Sequence, residues 1–220
     1  MIAPVTVKIC GLTDEDAVEA AIEAGADMLG VVFFAKSPRA ITIERAAEIL
    51  QWVPEEVRKV GLFVDPDDAL LSEAMNNLRL DFFQLHGAES PERVEQVRLE
   101  YGMPVIKALG ISGPADLDAA LPYADVADWL LFDAKAPVDA ERPGGNAKPF
   151  DWRILQGRTW PCPWLLAGGL TVDTVAEAIL QSGANGVDVS SGVESAPGVK
   201  DADLIAKFIA AAKMAEGHDS

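Results

Sequence analysis

The feature that most constrains the fold is a repeated alternation between short, apolar, β-rich runs and amphipathic runs of helix length. A two-residue hydrophobic period indicates a strand and a period near 3.6 indicates a helix. The predicted strands are residues 5–9, 27–33, 59–64, 81–85, 105–109, 128–133, 164–167 and 186–189. The predicted helices are residues 14–24, 43–52, 66–77, 91–101, 114–120, 151–155, 171–182 and 202–215. Thr42 and Ser90 are the expected N-caps of the second and fourth helices, and Gly25 fits the end of the first.

Strict alternation of strand and helix predicts parallel strands joined by right-handed crossovers. Eight such units in 220 residues fit a closed (β/α)8 barrel, the TIM barrel, near the small end of its size range. A doubly wound open sheet is the rival, but it more often has five or six strands, and no GxGxxG follows the first predicted strand. We therefore predict one domain over residues 1–220, with residues 216–220 as a frayed tail.

Charge and composition exclude several classes of function. The net charge is −17 and the pI is near 4.4, which disfavours binding to nucleic acid or to an anionic membrane. The two cysteines, Cys10 and Cys162, are too few for a disulfide scaffold or a cysteine-rich zinc site, and two histidines make a multi-histidine metal site improbable. The chain shows neither a signal peptide nor an apolar run long enough to span a membrane. We expect a cytoplasmic protein without a metal or cofactor.

In a barrel of this kind the active site lies where the strands end. The first strand ends in Lys8-Ile9-Cys10, and residues two apart share a face, so Lys8 and Cys10 are expected to point into the barrel if Val7 and Ile9 face the helices. An ammonium beside a thiol favours the thiolate, which is the basic and nucleophilic form. The alternative is that Cys10 is an inert small apolar residue, as most lone cysteines are.

A carboxylate closes the sixth predicted strand. Asp133 follows three apolar residues, where an unpaired carboxylate is costly unless it is hydrogen-bonded or functional. An N-cap or a loop salt bridge explains Asp133 equally well by itself, but its position at a strand end matches that of Cys10. Together the two residues would form an acid/base pair, provided that each pKa moves toward neutrality.

Glycines follow the seventh and eighth strands, in Ala-Gly-Gly-Leu at 167–170 and Ser-Ser-Gly at 190–192. Glycine lets the backbone approach a ligand closely, and the loops after strands 7 and 8 commonly bind phosphate in these barrels. Gly168, Gly169, Ser191 and Gly192 are therefore candidate phosphate ligands, although either glycine pair alone could be a helix-entry turn. Residues 144–146, in the long loop after strand 6, are either a lid or a simple connection. The residues themselves thus predict proton transfer on a small phosphorylated molecule.

Seven segments, in order along nearly the whole chain, resemble the phosphoribosylanthranilate isomerase family of tryptophan biosynthesis. They are KICGLT at 8–13, SPR at 37–39, QLHG at 84–87, LFD at 131–133, GG at 144–145 with FDW at 150–152, AGGL at 167–170 and DVSSGVE at 188–194. The resemblance implies an Amadori rearrangement of N-(5-phosphoribosyl)anthranilate to a 1-deoxyribulose phosphate. One departure is Ala147, where the family usually has glycine.

By the same resemblance Asp133 is the general acid that opens the ribose ring, and Cys10 is the general base that takes the proton from C2. Arg39 would hold the anthranilate carboxylate, which its forked donors suit, and Asp188 would contact the anthranilate side. Lys8 would be the electrostatic partner of Cys10. Gly168, Gly169, Ser191 and Gly192 would cradle the phosphate, and Gln84 and His86 would line the pocket from the fourth strand, with no proton assigned to His86.

Two alternatives remain open on the sequence. The first is a related phosphosugar isomerase that acts on an aminoimidazole-carboxamide ribonucleotide of histidine biosynthesis; an epimerase of the ribulose-phosphate type would need metal ligands that two histidines do not supply. The second is a catalytically silent barrel that binds a phosphorylated metabolite, which would need neither Cys10 nor Asp133. Whether the chain is a monomer or a homodimer is left open. In every case an anionic substrate must find a local positive pocket in an acidic protein.

Overall fold

Eight parallel strands pair in sequence order around a ring, and the eighth pairs with the first, so that the sheet closes into a barrel. The computed structural model describes residues 5–135 and 149–215. The strands are β1 (Thr6–Cys10), β2 (Met28–Val32), β3 (Arg58–Phe63), β4 (Phe82–Leu85), β5 (Val105–Ile111), β6 (Trp129–Ala134), β7 (Trp164–Leu166) and β8 (Gly186–Val189). The predicted (β/α)8 barrel is confirmed, and every predicted strand is present with bounds shifted by at most two residues.

Helices lie between the strands and cover the outside of the barrel. They are α1 (Glu15–Glu23), α2 (Ile43–Leu50), α3 (Asp68–Asn77), α4 (Pro91–Tyr101), α5 (Pro114–Ala119), α6 (Leu121–Ala124), α7 (Val175–Ser182) and α8 (Ala202–Met214). Thr42 accepts a hydrogen bond from the Arg45 N–H and Ser90 accepts one from the Arg93 N–H, which confirms both predicted N-caps. Gly25, just beyond α1, has a left-handed φ of 88°, as expected of a helix stop.

Two helix predictions need correction. The seventh helix begins at Val175 rather than at residue 171, because the Thr174 hydroxyl accepts the Thr171 N–H at 3.0 Å and holds a turn before the helix. Between β6 and β7 the described residues form a single 3-10 turn, Trp152–Leu155, where a short helix is predicted.

Three elements are present that the hydrophobic pattern does not predict. The fifth helix is followed directly by the four-residue helix α6, which begins with Leu121-Pro122. After β8 the chain forms a 3-10 turn, Ser191–Val193, and then an antiparallel ribbon of β9 (Glu194–Ala196) and β10 (Val199–Lys200). The ribbon is too short for a two-residue period to be visible in the sequence. It places Glu194 and Lys200 beside the end of β8.

The core has two layers, one between the strands and the helices and one inside the barrel. Val7 and Ile9 belong to the outer layer, which fixes Lys8 and Cys10 on the inner face of β1. The inner layer is an apolar plug of Met28, Val60, Ile106, Ala108, Leu131, Leu165 and Ala167. Among the described residues this plug occupies the barrel interior, so the space for a ligand is expected at the carboxyl ends of the strands.

Some expectations fall on residues outside the described ranges: the tail at 216–220, the glycine loop at 144–146 and the departure at Ala147. Within the described ranges, no helix is long and apolar enough to cross a membrane.

Candidate active site

The ends of the strands surround a cavity with about 720 Å³ of empty space, counting its open mouth. Most of the predicted site residues lie on its wall: Cys10, Arg39, His86, Asp133, Gly168, Gly169, Asp188, Ser191 and Gly192. Lys8 and Gln84, the remaining two, are fully buried on the inner faces of β1 and β4. Its wall combines apolar side chains with a few polar and charged groups, which is typical of a site for a small organic ligand. Residues chosen from six separate strand ends and loops are therefore brought to one place.

Lys8 and Cys10 lie together at the end of β1, against a glycine of the neighbouring strand. A Cβ atom at Gly30 would lie 3.0 Å from the Cys10 Sγ and 3.1 Å from the Lys8 Nζ, so both side chains would have to shift to admit one. The Lys8 ammonium donates a hydrogen bond of 2.7 Å to the Asp188 carboxylate, and neither side chain is more than 9% exposed. Lys8 thus has two anionic or acidic neighbours, Asp188 and Cys10.

Burial and two neighbouring charges together set the ionisation of Cys10 and Lys8. Burial raises the pKa of Cys10, and the lowering effect of the Lys8 ammonium does not fully offset it; the Asp188 carboxylate raises it further. Burial alone would lower the pKa of Lys8, but the charges of Asp188 and Cys10 outweigh it and the net pKa is raised. The Lys8 ammonium does favour the thiolate, as expected, but it is shared with the Asp188 carboxylate. Cys10 is a buried thiol beside a firmly protonated lysine.

Asp133, at the end of β6, has a hydrogen-bonding partner that the sequence does not reveal. The His86 Nε2 lies 3.2 Å from the Asp133 Oδ2, and the Gln84 Nε2 lies 3.1 Å from the His86 Nδ1. The side chains of His86 and Asp133 are 12% and 9% exposed, so this chain of three groups is largely shielded from water. Asp133 is therefore not an N-cap or a surface salt bridge, and its carboxyl group faces the cavity.

The two glycine loops pack closely on their neighbours. Gly168 and Gly169 have left-handed φ values of 87° and 72°, which side chains rarely adopt. A Cβ at Gly168 would collide with the Ala134 backbone N and lie 2.8 Å from the Asp133 Oδ1, and a Cβ at Gly192 would collide with the Leu170 carbonyl oxygen. Side chains are thus excluded at both loops, and the backbone forms this wall of the cavity.

Arg39 lies on the cavity wall, but two of the nitrogens of its guanidinium group already donate hydrogen bonds. The Arg39 Nε and Nη2 donate to the two oxygens of Glu194 at 2.6 and 2.8 Å, and both side chains are almost fully buried. The Lys200 Nζ donates to the same carboxylate at 2.7 Å and to the Ser190 carbonyl at 2.9 Å. Any carboxylate bound by Arg39 must therefore use its remaining N–H groups. We call Arg39, Glu194 and Lys200 the ribbon cluster.

Sequence reasoning missed Glu194 and Lys200. Glu194 is part of the segment that carries the family resemblance, but nothing in its spacing assigns it a partner 155 residues away. Lys200 lies in the unpredicted ribbon. Its pKa is lowered, because burial disfavours the ammonium more than the nearby Glu194 carboxylate favours it.

An apolar wall, also missed, completes the cavity. Val32, Leu62, Phe34 and Val64, at the ends of β2 and β3, pack beside Cys10 and line the same space. Such a surface suits a planar apolar group of a ligand. In residues 5–135 and 149–215, no three His, Cys, Asp or Glu side chains are grouped to hold a metal ion.

A closed (β/α)8 barrel with a thiol, a carboxyl group and two glycine loops around one cavity defines an enzyme of acid/base chemistry on a small, phosphorylated molecule. Comparison with known proteins gives the family. The family model described as N-(5'-phosphoribosyl)anthranilate (PRA) isomerase matches residues 7–211. The chain belongs to the N-(5'-phosphoribosyl)anthranilate isomerase family.

Individual relatives agree with this assignment. The chain is 64% identical over 210 residues to the N-(5'-phosphoribosyl)anthranilate isomerase of Paramagnetospirillum magneticum, covering 96% of this chain and 98% of the relative. The crystal structure of the Thermotoga maritima isomerase superposes with a TM-score of 0.87 at 39% identity, over 96% of this chain and 99% of the other.

Two further solved structures are similar to this chain. One is a phosphoribosyl anthranilate isomerase in complex with reduced 1-(o-carboxyphenylamino)-1-deoxyribulose 5-phosphate, with a TM-score of 0.82 at 35% identity. The other describes monomers generated from the dimeric Thermotoga maritima isomerase, with a TM-score of 0.81 at 35% identity. Each covers 96% of this chain and 99% of its own.

Proposed function

We propose that this chain catalyses the Amadori rearrangement of N-(5-phospho-β-D-ribosyl)anthranilate to 1-(2-carboxyphenylamino)-1-deoxy-D-ribulose 5-phosphate in L-tryptophan biosynthesis. The observation that carries the proposal is that Cys10 of β1 and Asp133 of β6 lie on the wall of one cavity, which also holds two glycine loops. Family membership and the product analogue bound by a solved relative support the same substrate.

Asp133 is the general acid of the first step. It gives a proton to the ribose ring oxygen as the bond from that oxygen to C1 breaks, and the nitrogen lone pair forms the Schiff base. Asp133 lies within hydrogen-bonding distance of His86 and at the cavity wall, so the carboxyl group is held facing the ligand space. General acid catalysis of this kind contributes roughly 10²- to 10⁴-fold to a rate.

Cys10 is the general base of the second step. Its thiolate takes the proton from ribose C2, which gives the enolamine, and tautomerisation then gives the ketone. The raised pKa of Cys10 means that little thiolate is present at neutral pH, but also that the thiolate, once formed, is a stronger base. The Lys8 ammonium lies against the same glycine as the thiol and stabilises the negative charge when the thiol proton leaves.

The cavity wall divides into regions that match the parts of the substrate. The glycine loops with Ser191 would hold the phosphate through backbone N–H groups and the hydroxyl. The apolar wall would contact the anthranilate ring, with Asp188 on that side. The free N–H groups of Arg39 would bind the anthranilate carboxylate, while Glu194 fixes the direction of the guanidinium. Gln84 would act indirectly, by holding the His86 ring through the contact between its amide and that ring.

The test is turnover by the purified protein with phosphoribosylanthranilate generated in situ, followed by fluorescence or absorbance. We expect Cys10→Ala and Asp133→Asn each to lower kcat by at least about 10²-fold while the far-UV circular dichroism spectrum is retained. Near wild-type turnover in either variant would refute the assigned role. Conversion of the aminoimidazole ribonucleotide instead would favour the histidine-pathway alternative, and tight binding without conversion would show a silent barrel.

The assembly and the location of the protein are also proposals. A monomer and a homodimer are both compatible with the relatives, one of which is described as dimeric. Light scattering coupled to gel filtration distinguishes a particle of 23.4 kDa from one of twice that mass. Cytoplasmic localisation and the absence of a cofactor stay predictions.

A further inference from the structure

A hydrogen-bonded chain of three side chains runs from the barrel interior to the cavity. Gln84, on the inner face of β4, is fully buried, and its amide Nε2 lies 3.1 Å from the His86 Nδ1. The other ring nitrogen, Nε2, lies 3.2 Å from the Asp133 Oδ2. The imidazole therefore lies between a buried amide and the carboxyl group to which the proposed function assigns the first proton transfer.

The backbone around His86 is held firmly in place. The His86 N–H donates to the Phe63 carbonyl at 2.8 Å, and the next residue, Gly87, donates to the Glu89 carboxylate at 2.9 Å. Glu89 forms a 2.7 Å ion pair with Lys107, and both side chains are at most 3% exposed. The loop that presents the imidazole is thus tied to its neighbours through buried groups, and the ring has a defined place.

Among these three hydrogen-bonded side chains, the Gln84 carbonyl oxygen is the atom in an unusual environment. Among the described residues, Oε1 is buried and has no hydrogen-bond partner, which is rare for a buried polar atom and costs free energy. With Nε2 turned toward the ring, the amide donates to the lone pair of Nδ1, and the ring then donates its Nε2–H to the Asp133 carboxylate. With Oε1 turned toward the ring, the same amide would accept a hydrogen bond from an Nδ1 that carries a proton. Rotation of one buried amide therefore serves two protonation states of the imidazole.

We propose that His86 is a proton relay that loads Asp133, and that Gln84 sets the protonation state of the ring. This inference rests on the proposed function, since it assumes that Asp133 protonates the substrate. A general acid gives up its proton in each turnover and must recover one before the next, and an imidazole has two ring nitrogens that can take up and pass on a proton. A general acid in this position therefore needs a source of protons, and His86 is the titratable group hydrogen-bonded to it.

The proton balance closes over one turnover. With Gln84 turned so that Oε1 accepts from the Nδ1–H of the charged imidazole, the proton on Nε2 passes to the Asp133 carboxylate. Asp133 gives this proton to the ring oxygen as the C1–O bond breaks. Cys10 then gives to C1 the proton that it took from C2, and the C2 hydroxyl, on becoming the ketone, returns its proton through Asp133 to Nε2. The relay ends in its starting state.

The other charged groups near His86 are already paired or lie elsewhere on the cavity wall. Cys10, Arg39 and Asp188 line the same cavity. Behind the loop, Lys107 is bound to Glu89, and Asp65 accepts the Ala88 N–H at 2.7 Å. None of these has a side-chain hydrogen bond to the imidazole within the described ranges, so the relay has one outlet, Asp133.

His86→Gln is the decisive variant, because a glutamine amide can donate a hydrogen bond to Asp133 but cannot carry a proton. We expect kcat to fall about tenfold or more with KM changed less than about twofold, and the pH dependence of kcat to change. In His86→Ala, added imidazole should restore kcat with saturation, and it should do nothing in the double variant with Asp133→Asn. The same substitution at the other histidine, His218→Gln, is the matched control and should behave as wild type.

Wild-type kcat with an unchanged pH profile in His86→Gln would overturn the relay. It would show that a hydrogen bond to Asp133 is sufficient, because a glutamine amide can donate that bond but cannot transfer a proton. Failure of imidazole to raise the activity of His86→Ala would overturn it as well. Both outcomes are read as ratios to an active wild-type protein. A wild-type protein without isomerase activity would instead refute the proposed function.

Discussion

Glu194 is the residue whose removal should most damage the cavity wall without touching an acid/base group. Its carboxylate holds Arg39 at 2.6 and 2.8 Å and Lys200 at 2.7 Å, and it accepts the Gly198 N–H at 3.1 Å. The Glu194 side chain is 4% exposed, and those of Arg39 and Lys200 are 6% and 0% exposed. One buried negative charge thus serves as the partner of two buried positive charges.

Glu194→Gln keeps the size of the side chain and removes the charge. Removing one partner of a buried ion pair typically costs about 3–5 kcal/mol, because the remaining charge is left uncompensated in the interior. The amide oxygen can still accept one hydrogen bond, so we expect the lower end, about 3 kcal/mol, in the free energy of unfolding. A domain of this kind has roughly 5–15 kcal/mol in total. The variant should fold, but with a clearly lower urea midpoint.

The pH dependence gives a second, independent readout. Burial by itself would raise the pKa of Glu194, but the hydrogen bonds from Arg39 and the charge of Lys200 outweigh it, and the net pKa is lowered. A carboxyl group with a lowered pKa stabilises the fold above its unfolded value, near pH 4.3, and this contribution is lost as the pH falls through the folded value. The difference between wild type and Glu194→Gln should therefore be largest near pH 7 and shrink below about pH 4.

The assay is urea unfolding followed by far-UV circular dichroism at both pH values. The matched control is Glu95→Gln, since Glu95 is exposed on α4 and a surface change of this kind is usually within about 0.5 kcal/mol. If Glu194→Gln and Glu95→Gln lose the same stability at pH 7, the reasoning about the ribbon cluster is refuted. A difference that persists undiminished at low pH would show that packing, rather than charge, is responsible.

Two further predictions concern the thiol and the glycine loop. In a Cys162→Ser background, the absorbance at 240 nm reports the thiolate of Cys10. We expect the midpoint of its pH titration to lie above the pKa of an ordinary thiol, about 8.5, because burial disfavours the charged form. A midpoint below that value would contradict the electrostatic argument. Gly192→Ala should destabilise the protein by about 1–3 kcal/mol and weaken inhibition by inorganic phosphate, because the new Cβ meets the Leu170 carbonyl oxygen. Gly113→Ala, where a Cβ meets nothing within 4 Å, is the control, and equal effects in the two variants would refute the steric reason.

The barrel is predictable from the sequence because its determinants are local. Each strand and most helices produce their own hydrophobic period, and caps such as Thr42 and Ser90 act within three residues. The errors occur where local pattern is weak. The turn before α7 depends on a hydroxyl of Thr174, and the ribbon β9–β10 has too few residues to show a period. The ends of helices are the part of secondary structure that the sequence determines least well.

Only part of the site can be predicted from the sequence, for a related reason. Position at a strand end identifies Lys8, Cys10 and Asp133 without any tertiary information, because the closed barrel brings all strand ends together. The partners of these residues are set by tertiary contacts between distant segments. His86 meets Asp133 across 47 residues and Lys8 meets Asp188 across 180, and no spacing rule connects them. The raised pKa of Cys10 follows from burial and from the sharing of Lys8, neither of which the sequence reveals.

The net charge of −17 and an anionic substrate are reconciled by where the charges lie. Around the cavity three buried cations, Lys8, Arg39 and Lys200, are paired with two buried carboxylates, Asp188 and Glu194. The third carboxyl group of the site, Asp133, contacts His86 and is not paired with any of these cations. Charges in the low-dielectric interior are screened little by salt, whereas exposed carboxylates are screened beyond about 8–10 Å at physiological ionic strength. The acidic surface therefore acts mainly on the approach of the substrate, and the buried cations act on its binding. Ion pairing with Asp188 and Glu194 is what allows three cations to be buried together beside the space that a ligand would occupy.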